Sequence, residues 1–190
     1  MKIKVGIMGS ADETLVGVAA DATREKAASL GRAAAARDLV VLTGATTGLP
    51  YAAGHAAHRA GALHVGVSPA ADEREHATTY QLPADGCDVM VYTGFGLKGR
   101  NVVLVRSCDL VIIVGGSVGA LNEFTIAYDE GKVIGCLTGT GGVADEAARL
   151  VNTFPKATAA RVFHDDDPAR LLDTCLEAWR RVGDFSSSVV

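Results

Sequence analysis

Seven short runs of apolar and β-branched residues recur along the chain, at 3–8, 39–43, 63–67, 89–92, 110–114, 133–137 and 161–163. Stretches with helical spacing lie between them, at 18–37, 51–60, 101–107, 121–130, 144–154 and 168–182. The runs are continuous rather than alternating: the fifth reads LVIIV and the sixth VIGCL. A strand that is apolar on both faces must be covered on both faces. Strand–helix alternation under that constraint predicts an α/β fold, a doubly wound, mostly parallel sheet of about seven strands with helices on both sides. At 190 residues the chain suits one domain, placed at 1–182, with 183–190 (GDFSSSVV) as a flexible C-terminal tail.

Charge and composition narrow the partners. A net charge of −4 offers no polybasic footprint, which argues against nucleic acid and against a membrane surface. No apolar run approaches the ~20 residues of a membrane span. The opening MKIKVGIMGS goes straight into a strand, with an apolar run too short for a secretory signal. Cys87, Cys108, Cys136 and Cys175 are far apart and form no CxxC pair, so they read as reduced thiols of a cytoplasmic protein.

Glycine placement then points to one rim. Gly9-Ser10 follows the first run, Thr43-Gly44-Ala45-Thr46-Thr47-Gly48 the second and Thr93-Gly94-Phe95-Gly96 the fourth. Gly115-Gly116-Ser117-Val118-Gly119 follows the fifth and TGTGG, at 138–142, the sixth. In a parallel sheet these exits share one edge, where α/β folds bind ligands near the reversal of strand order. Glycine lets backbone N–H groups approach a ligand, and a helix that begins there adds unpaired donors and a positive dipole end. A phosphate suits that rim. Gly9, Ser10, Thr43, Gly44, Gly48, Gly94, Gly115, Gly116, Ser117, Val118 and Gly119 are its candidate contacts.

Other motifs are weaker. Gly94-Phe95-Gly96-Leu97-Lys98-Gly99 matches GxGxxG, but the next strand ends in Val114-Gly115-Gly116 without the acid that holds a ribose. Arg100-Asn101 stands where a P-loop has Lys and Ser/Thr. His55 and His58 are one turn apart but lack a third ligand, so no metal is assigned. Asp165-Asp166-Asp167 before Pro168 reads as a helix start capped by Asp167. No Ser–His–Asp set emerges from spacing, and Cys108 reads as core.

Glu123, about one turn into the helix after Gly115–Gly119, would lie beside any phosphate held there. Like charge makes that costly unless the carboxylate has another partner, such as a ribose hydroxyl or a proton to transfer. Arg100, at the mouth of the preceding strand–helix unit, is the natural balancing cation. The plainer alternatives are helix-dipole complementarity for Glu123 and a solvated surface charge for Arg100.

The stretch GRNVVLVRSCDLVIIVGGSVGALNEFTIAYDEGK resembles the Lonely Guy family, nucleoside-monophosphate phosphoribohydrolases once labelled "lysine decarboxylase-like". The resemblance covers roughly residues 2–142 and implies a Rossmann-like fold. It puts Arg100 and Glu123 on the family's catalytic arginine and glutamate, and Gly116 and Gly119 on its phosphate loop. The chain departs from the pattern at Asn101 for lysine, Gly115 for proline, Ser117 for glycine and Ala120 for threonine, the last a further phosphate-loop position. TGLPYAAG and VGVSPA bring it closer to a sister branch that includes the molybdenum-cofactor carrier proteins. The resemblance thus implies a bound nucleotide or molybdenum cofactor, with no cofactor needed for catalysis, in a homodimer or homotetramer. Binding without turnover, as carrier or storage protein, is the first expectation. A phosphoribohydrolase, cleaving the N-glycosidic bond through an oxocarbenium-like state, is the second, and a nucleotide-sensing domain the third.

Overall fold

The structure, a computed structural model, describes residues 1–11 and 18–187. Strands and helices alternate as β1 (Lys4–Gly9), α1 (Val18–Ala36), β2 (Val40–Thr43), α2 (Gly48–Arg59), β3 (His64–Ser68), α3 (Glu73–Thr78) and β4 (Val89–Tyr92). The second half follows as α4 (Gly96–Ser107), β5 (Leu110–Val114), α5 (Val118–Asp129), β6 (Val133–Leu137), α6 (Gly142–Thr153), β7 (Arg161–Asp165) and α7 (Pro168–Ser187). The seven strands form a single sheet in the order β4-β3-β2-β1-β5-β6-β7. Every neighbouring pair is parallel.

The period of two along each strand divides the apolar runs between two cores. Leu110, Ile112 and Val114 of β5 join Val5, Ile7 and Val41 under Ala27, Leu30, Ala53 and Leu171 of α1, α2 and α7. Val111 and Ile113 point the other way, into a cluster with Leu104, Phe124 and Ala147 of α4, α5 and α6. β5 is buried throughout because both cores need it. β4 is an edge strand and leaves Val89 and Val91 exposed, so its apolar run is covered on one side only. α1 and α2 approach closely where a Cβ on Gly31 would strike the Ala53 carbonyl.

Cys108 is core, with its thiol packed at Gly6. Asp167 does cap α7, accepting from Arg170 N at 2.8 Å, with Pro168 in the first turn. The expected tail is partly helix: α7 runs on to Ser187, and 188–190 lie outside the described residues. A helix anchored by Leu171, Leu172, Cys175 and Leu176 adds one hydrogen bond for each further residue it fixes, so it outlasts its apolar stripe. No helix is long and apolar enough to cross a membrane, among the described residues.

Candidate functional site

Strand order reverses between β1 and β5, which pair from Val5–Leu110 to Gly9–Val114. Their exits diverge above that pair, Ser10 N bonding to Val114 O (3.2 Å) while the two chains leave for α1 and α5. A cavity of about 170 Å³ opens there. Ile7 and Met8 of β1 and the buried Arg100, Asn101 and Glu123 form its floor, and its walls include Gly44 and Thr46 before α2, Leu97 and Lys98 on α4, and Ser117, Gly119 and Ala120 at α5.

Burial rules out the plain readings of the two charged candidates. Arg100 is 5% exposed and Glu123 6%, so neither is a solvated surface charge. Nor does Glu123 belong to the first turn of α5, which begins at Val118. The guanidinium Nη1 lies 3.5 Å from Glu123 Oε1, long for a charge-assisted hydrogen bond. Its Nε is buried with no partner among the described residues. It lies against Gly44, where a Cβ would overlap it. An arginine taken out of water and left with an orphan donor is costly on its own account, and it faces an open cavity.

Asn101, 3% exposed, finishes the floor. With its amide nitrogen turned to the two acceptors, Nδ2 donates to Glu123 Oε1 (3.1 Å) and Leu97 O (2.9 Å). Asn122, its own amide turned to match, meets the Asn101 oxygen at 2.8 Å. The residue that departs from the family's lysine thus holds the glutamate by a neutral donor. Burial pushes the Glu123 carboxyl up to about 7, against the pull of Arg100 and then Lys98. Burial likewise lowers Arg100, with Glu123 opposing. For both groups desolvation outweighs a pairing this long.

Helix capping separates the cavity from the rest of the surface. α3 begins at Asp72, which accepts from Glu75 N, and α7 at Asp167, which accepts from Arg170 N. At α6, Asp145 takes the N–H groups of Gly139 (2.7 Å) and Gly141 (2.8 Å). Among the described residues, the helices that line the cavity are α2, α4 and α5, and these have no side-chain cap and no acid in the first turn. Leu121 N makes the first intrahelical bond of α5, to Ser117 O (2.9 Å), which leaves the Val118, Gly119 and Ala120 amides without one. Carboxylates therefore answer the positive dipole ends of α3, α6 and α7, backbone carbonyls take Leu49 N of α2 (Ser10 O, 2.8 Å) and Gly96 N of α4 (Pro69 O, 3.0 Å), and the α5 end is left open.

Of the sequence candidates, the structure brings Gly9, Gly44, Arg100, Ser117, Gly119, Ala120 and Glu123 to the cavity wall. The others stand back. Thr43 turns its hydroxyl to His64 Nε2 (2.9 Å), and Ser10 O receives Leu49 N beside Gly48. Gly94 packs by Ala71, and Val118 is 72% exposed. Gly115 gives its N–H to Thr140 Oγ1 (2.8 Å), while the Gly115 and Gly116 carbonyls accept from Ala144 and Val143 of α6. The loop is thereby pinned from behind. His55 stacks on Tyr51 and His58 meets Asp88 (3.2 Å), away from the cavity. Lys98 and Asn101 escaped sequence reasoning as site residues, although their three-residue spacing puts both on one helix face.

Comparison with known proteins agrees with this fold. A protein of Archaeoglobus fulgidus is 29% identical over 135 residues, 71% of this chain and 80% of its own length. Among solved structures, that of TM1055, a structural-genomics target, superposes with a TM-score of 0.81 at 23% identity, covering 93% of this chain and 99% of its own. The Moco carrier protein from Chlamydomonas reinhardtii superposes with a TM-score of 0.73 at 23% identity, covering 94% and 99%. These likenesses confirm the Rossmann-like fold. The model of the SLOG cluster4 family matches residues 2–172, and the chain belongs to that family.

Proposed function

We propose that this protein binds a phosphate-bearing small ligand, a molybdenum cofactor or a nucleotide, at the carboxyl edge of its sheet, and acts as a carrier or store. The observation that carries this reading is the uncapped N-terminus of α5 on a cavity whose buried arginine leaves its Nε unpartnered among the described residues. At about 170 Å³ the cavity is smaller than the ~300–1,000 Å³ typical of whole-ligand pockets. It takes the polar end of a ligand, and a flat ring system would rest outside it, beside Leu97, 49% exposed on the lip. Likeness to Moco carriers supports the cofactor as cargo. Ala120 and Asn101, which lack the hydroxyl and the cation of the Lonely Guy pattern, support retention over turnover.

One observation favours a phosphoribohydrolase as the second reading: a carboxyl pushed to about 7 is poised to hold or give a proton near neutrality. A single experiment separates the two. Protein isolated gently from a molybdenum-replete host is assayed for oxidised-pterin fluorescence and bound molybdenum, then offered a panel of nucleoside 5′-monophosphates. The carrier reading expects a bound pterin and intact nucleotides; released base would favour the hydrolase. Neither a bound pterin nor a nucleotide-induced melting shift would sink both.

Gly44→Ala provides a sharper probe. Gly44 has ordinary negative-φ backbone, and the atoms its Cβ would strike are the far end of the Arg100 side chain. The guanidinium should be driven from the cavity while the ligand-free melting point moves by less than the equivalent of about 1 kcal/mol. Ligand affinity should fall at least tenfold. Unfolding of the variant, or unchanged affinity, would contradict the assigned role of Arg100.

A further inference from the structure

Position 101 lacks the lysine of the Lonely Guy pattern, yet the cavity is not short of a second cation. Lys98 lies one helical turn earlier on α4 and lines the same cavity. It is exposed at the mouth and makes no ion pair with a described residue. Its Nζ is 3.9 Å from the point where a Cβ on Gly119 would stand, and no other atom of a described residue outside α5 comes within 4 Å of that point. Among the described residues, the space between the ammonium and the first turn of α5 is therefore open, and it is bounded by the Gly119 backbone on one side and a charge on the other.

The floor is a poorer place for an anion. Arg100 and Glu123 share it as a pair, and Glu123 Oε1 would face any phosphate oxygen that approached the guanidinium. Lys98 makes no ion pair with a carboxylate of the described residues, although its charge reaches Glu123, and the Val118, Gly119 and Ala120 amides point the dipole of a 12-residue helix at the same space. Arg100, which lines the same cavity with its side chain more than nine-tenths buried and its Nε without a hydrogen-bond partner among the described residues, is an independent sign of a site for a polar occupant.

We propose that Lys98 is the phosphate-binding cation of this site, and that the site has two levels. The phosphate is held at the rim, between Lys98 Nζ and the α5 amides. The uncharged polar groups of the ligand, hydroxyls or carbonyls, reach the floor, where Arg100 donates and Glu123 accepts. This rests on the reading of the site as a phosphate-ligand site and assigns which residue carries the charge recognition.

The probe is inorganic phosphate, titrated by calorimetry and by melting shift against chloride at matched ionic strength, on the full chain. Wild type should bind. Lys98→Gln should weaken phosphate about 10- to 100-fold, the usual worth of a lost charge-assisted hydrogen bond, and flatten its salt dependence. Lys98→Arg should recover most of the loss. Arg100→Gln should weaken phosphate less than Lys98→Gln does. If wild type binds and Lys98→Gln binds equally well, or Arg100→Gln proves the more damaging, the rim assignment is overturned and the phosphate-ligand reading stands. If wild type ignores phosphate altogether, both are overturned. Lys98 is exposed, so circular dichroism of Lys98→Gln should match wild type and keep the comparison clean.

Discussion

The double variant Arg100→Met with Glu123→Leu should be more stable than wild type without ligand, by about 1–4 kcal/mol, and should lose most of its response to a nucleoside monophosphate or pterin. Replacing a buried ion pair by apolar residues of similar volume is commonly neutral to stabilising by that amount. Here the pair is 3.5 Å apart and the arginine brings an orphan donor, so the fold gains little from either residue. Met and Leu would pack between Ile7, Met8 and Ala120. Each single change should behave differently. Arg100→Met alone strands the glutamate and should cost stability above pH 7, where the carboxyl ionises. Urea denaturation of the ligand-free proteins measures all three. A double variant weaker than wild type would mean that the pair is structural, and the case for a binding site would lose its main support.

Stability should also depend on pH through Glu123, with a sign opposite to that of an ordinary carboxylate. Its pKa is about 7 in the fold and 4.5 without it. Between these values the native chain holds a proton that the unfolded chain has released, so stability falls as pH rises. The contribution is complete below about 4.5 and gone above about 7. Glu123→Gln removes this dependence. The stability of the Gln variant relative to wild type should therefore rise by about 3 kcal/mol from pH 4.5 to 8, since each pH unit between the two values is worth ~1.4 kcal/mol. The pairing to Arg100 titrates with Glu123 and is already contained in that value, and other groups, such as Asp165 and His64, cancel because both proteins carry them. Melting at a series of pH values tests the slope. A difference that stays flat would show that Glu123 is ionised throughout.

Most of the sheet is legible in the sequence because β-branched runs have few alternatives to a buried strand, and boundaries agree to within one or two residues. Helix starts are not. α2, α4, α5 and α6 begin at Gly48, Gly96, Val118 and Gly142, two to five residues before the periodic apolar pattern starts. The first residues of a helix give no intrahelical N–H bond, so their side chains need not be good helix formers. α3 lacks the apolar period that marks the other helices, yet Asp72-x-x-Glu75 is a helix-start signal: Asp72 accepts from Glu75 N, and Glu75 reaches back to Ala71 N. In the site, Arg100 and Glu123 are legible because a charge beside a glycine turn is conspicuous. Asn101 shows in the sequence only as a lost lysine. Its role as donor to a buried carboxylate depends on how α4 packs against α5, which no local pattern encodes. Thr43 misleads for the same reason, its hydroxyl being engaged by His64 from the neighbouring strand.

Asp145 sets a boundary on what can be bound. Its two carboxylate oxygens already engage the Gly139 and Gly141 amides, so the α6 end of the rim carries a built-in negative group. A ligand whose second phosphate extended toward β6 would meet repulsion instead of donors. Under the proposed reading, the ligand's footprint would run the other way, across β1 toward α2 and α4.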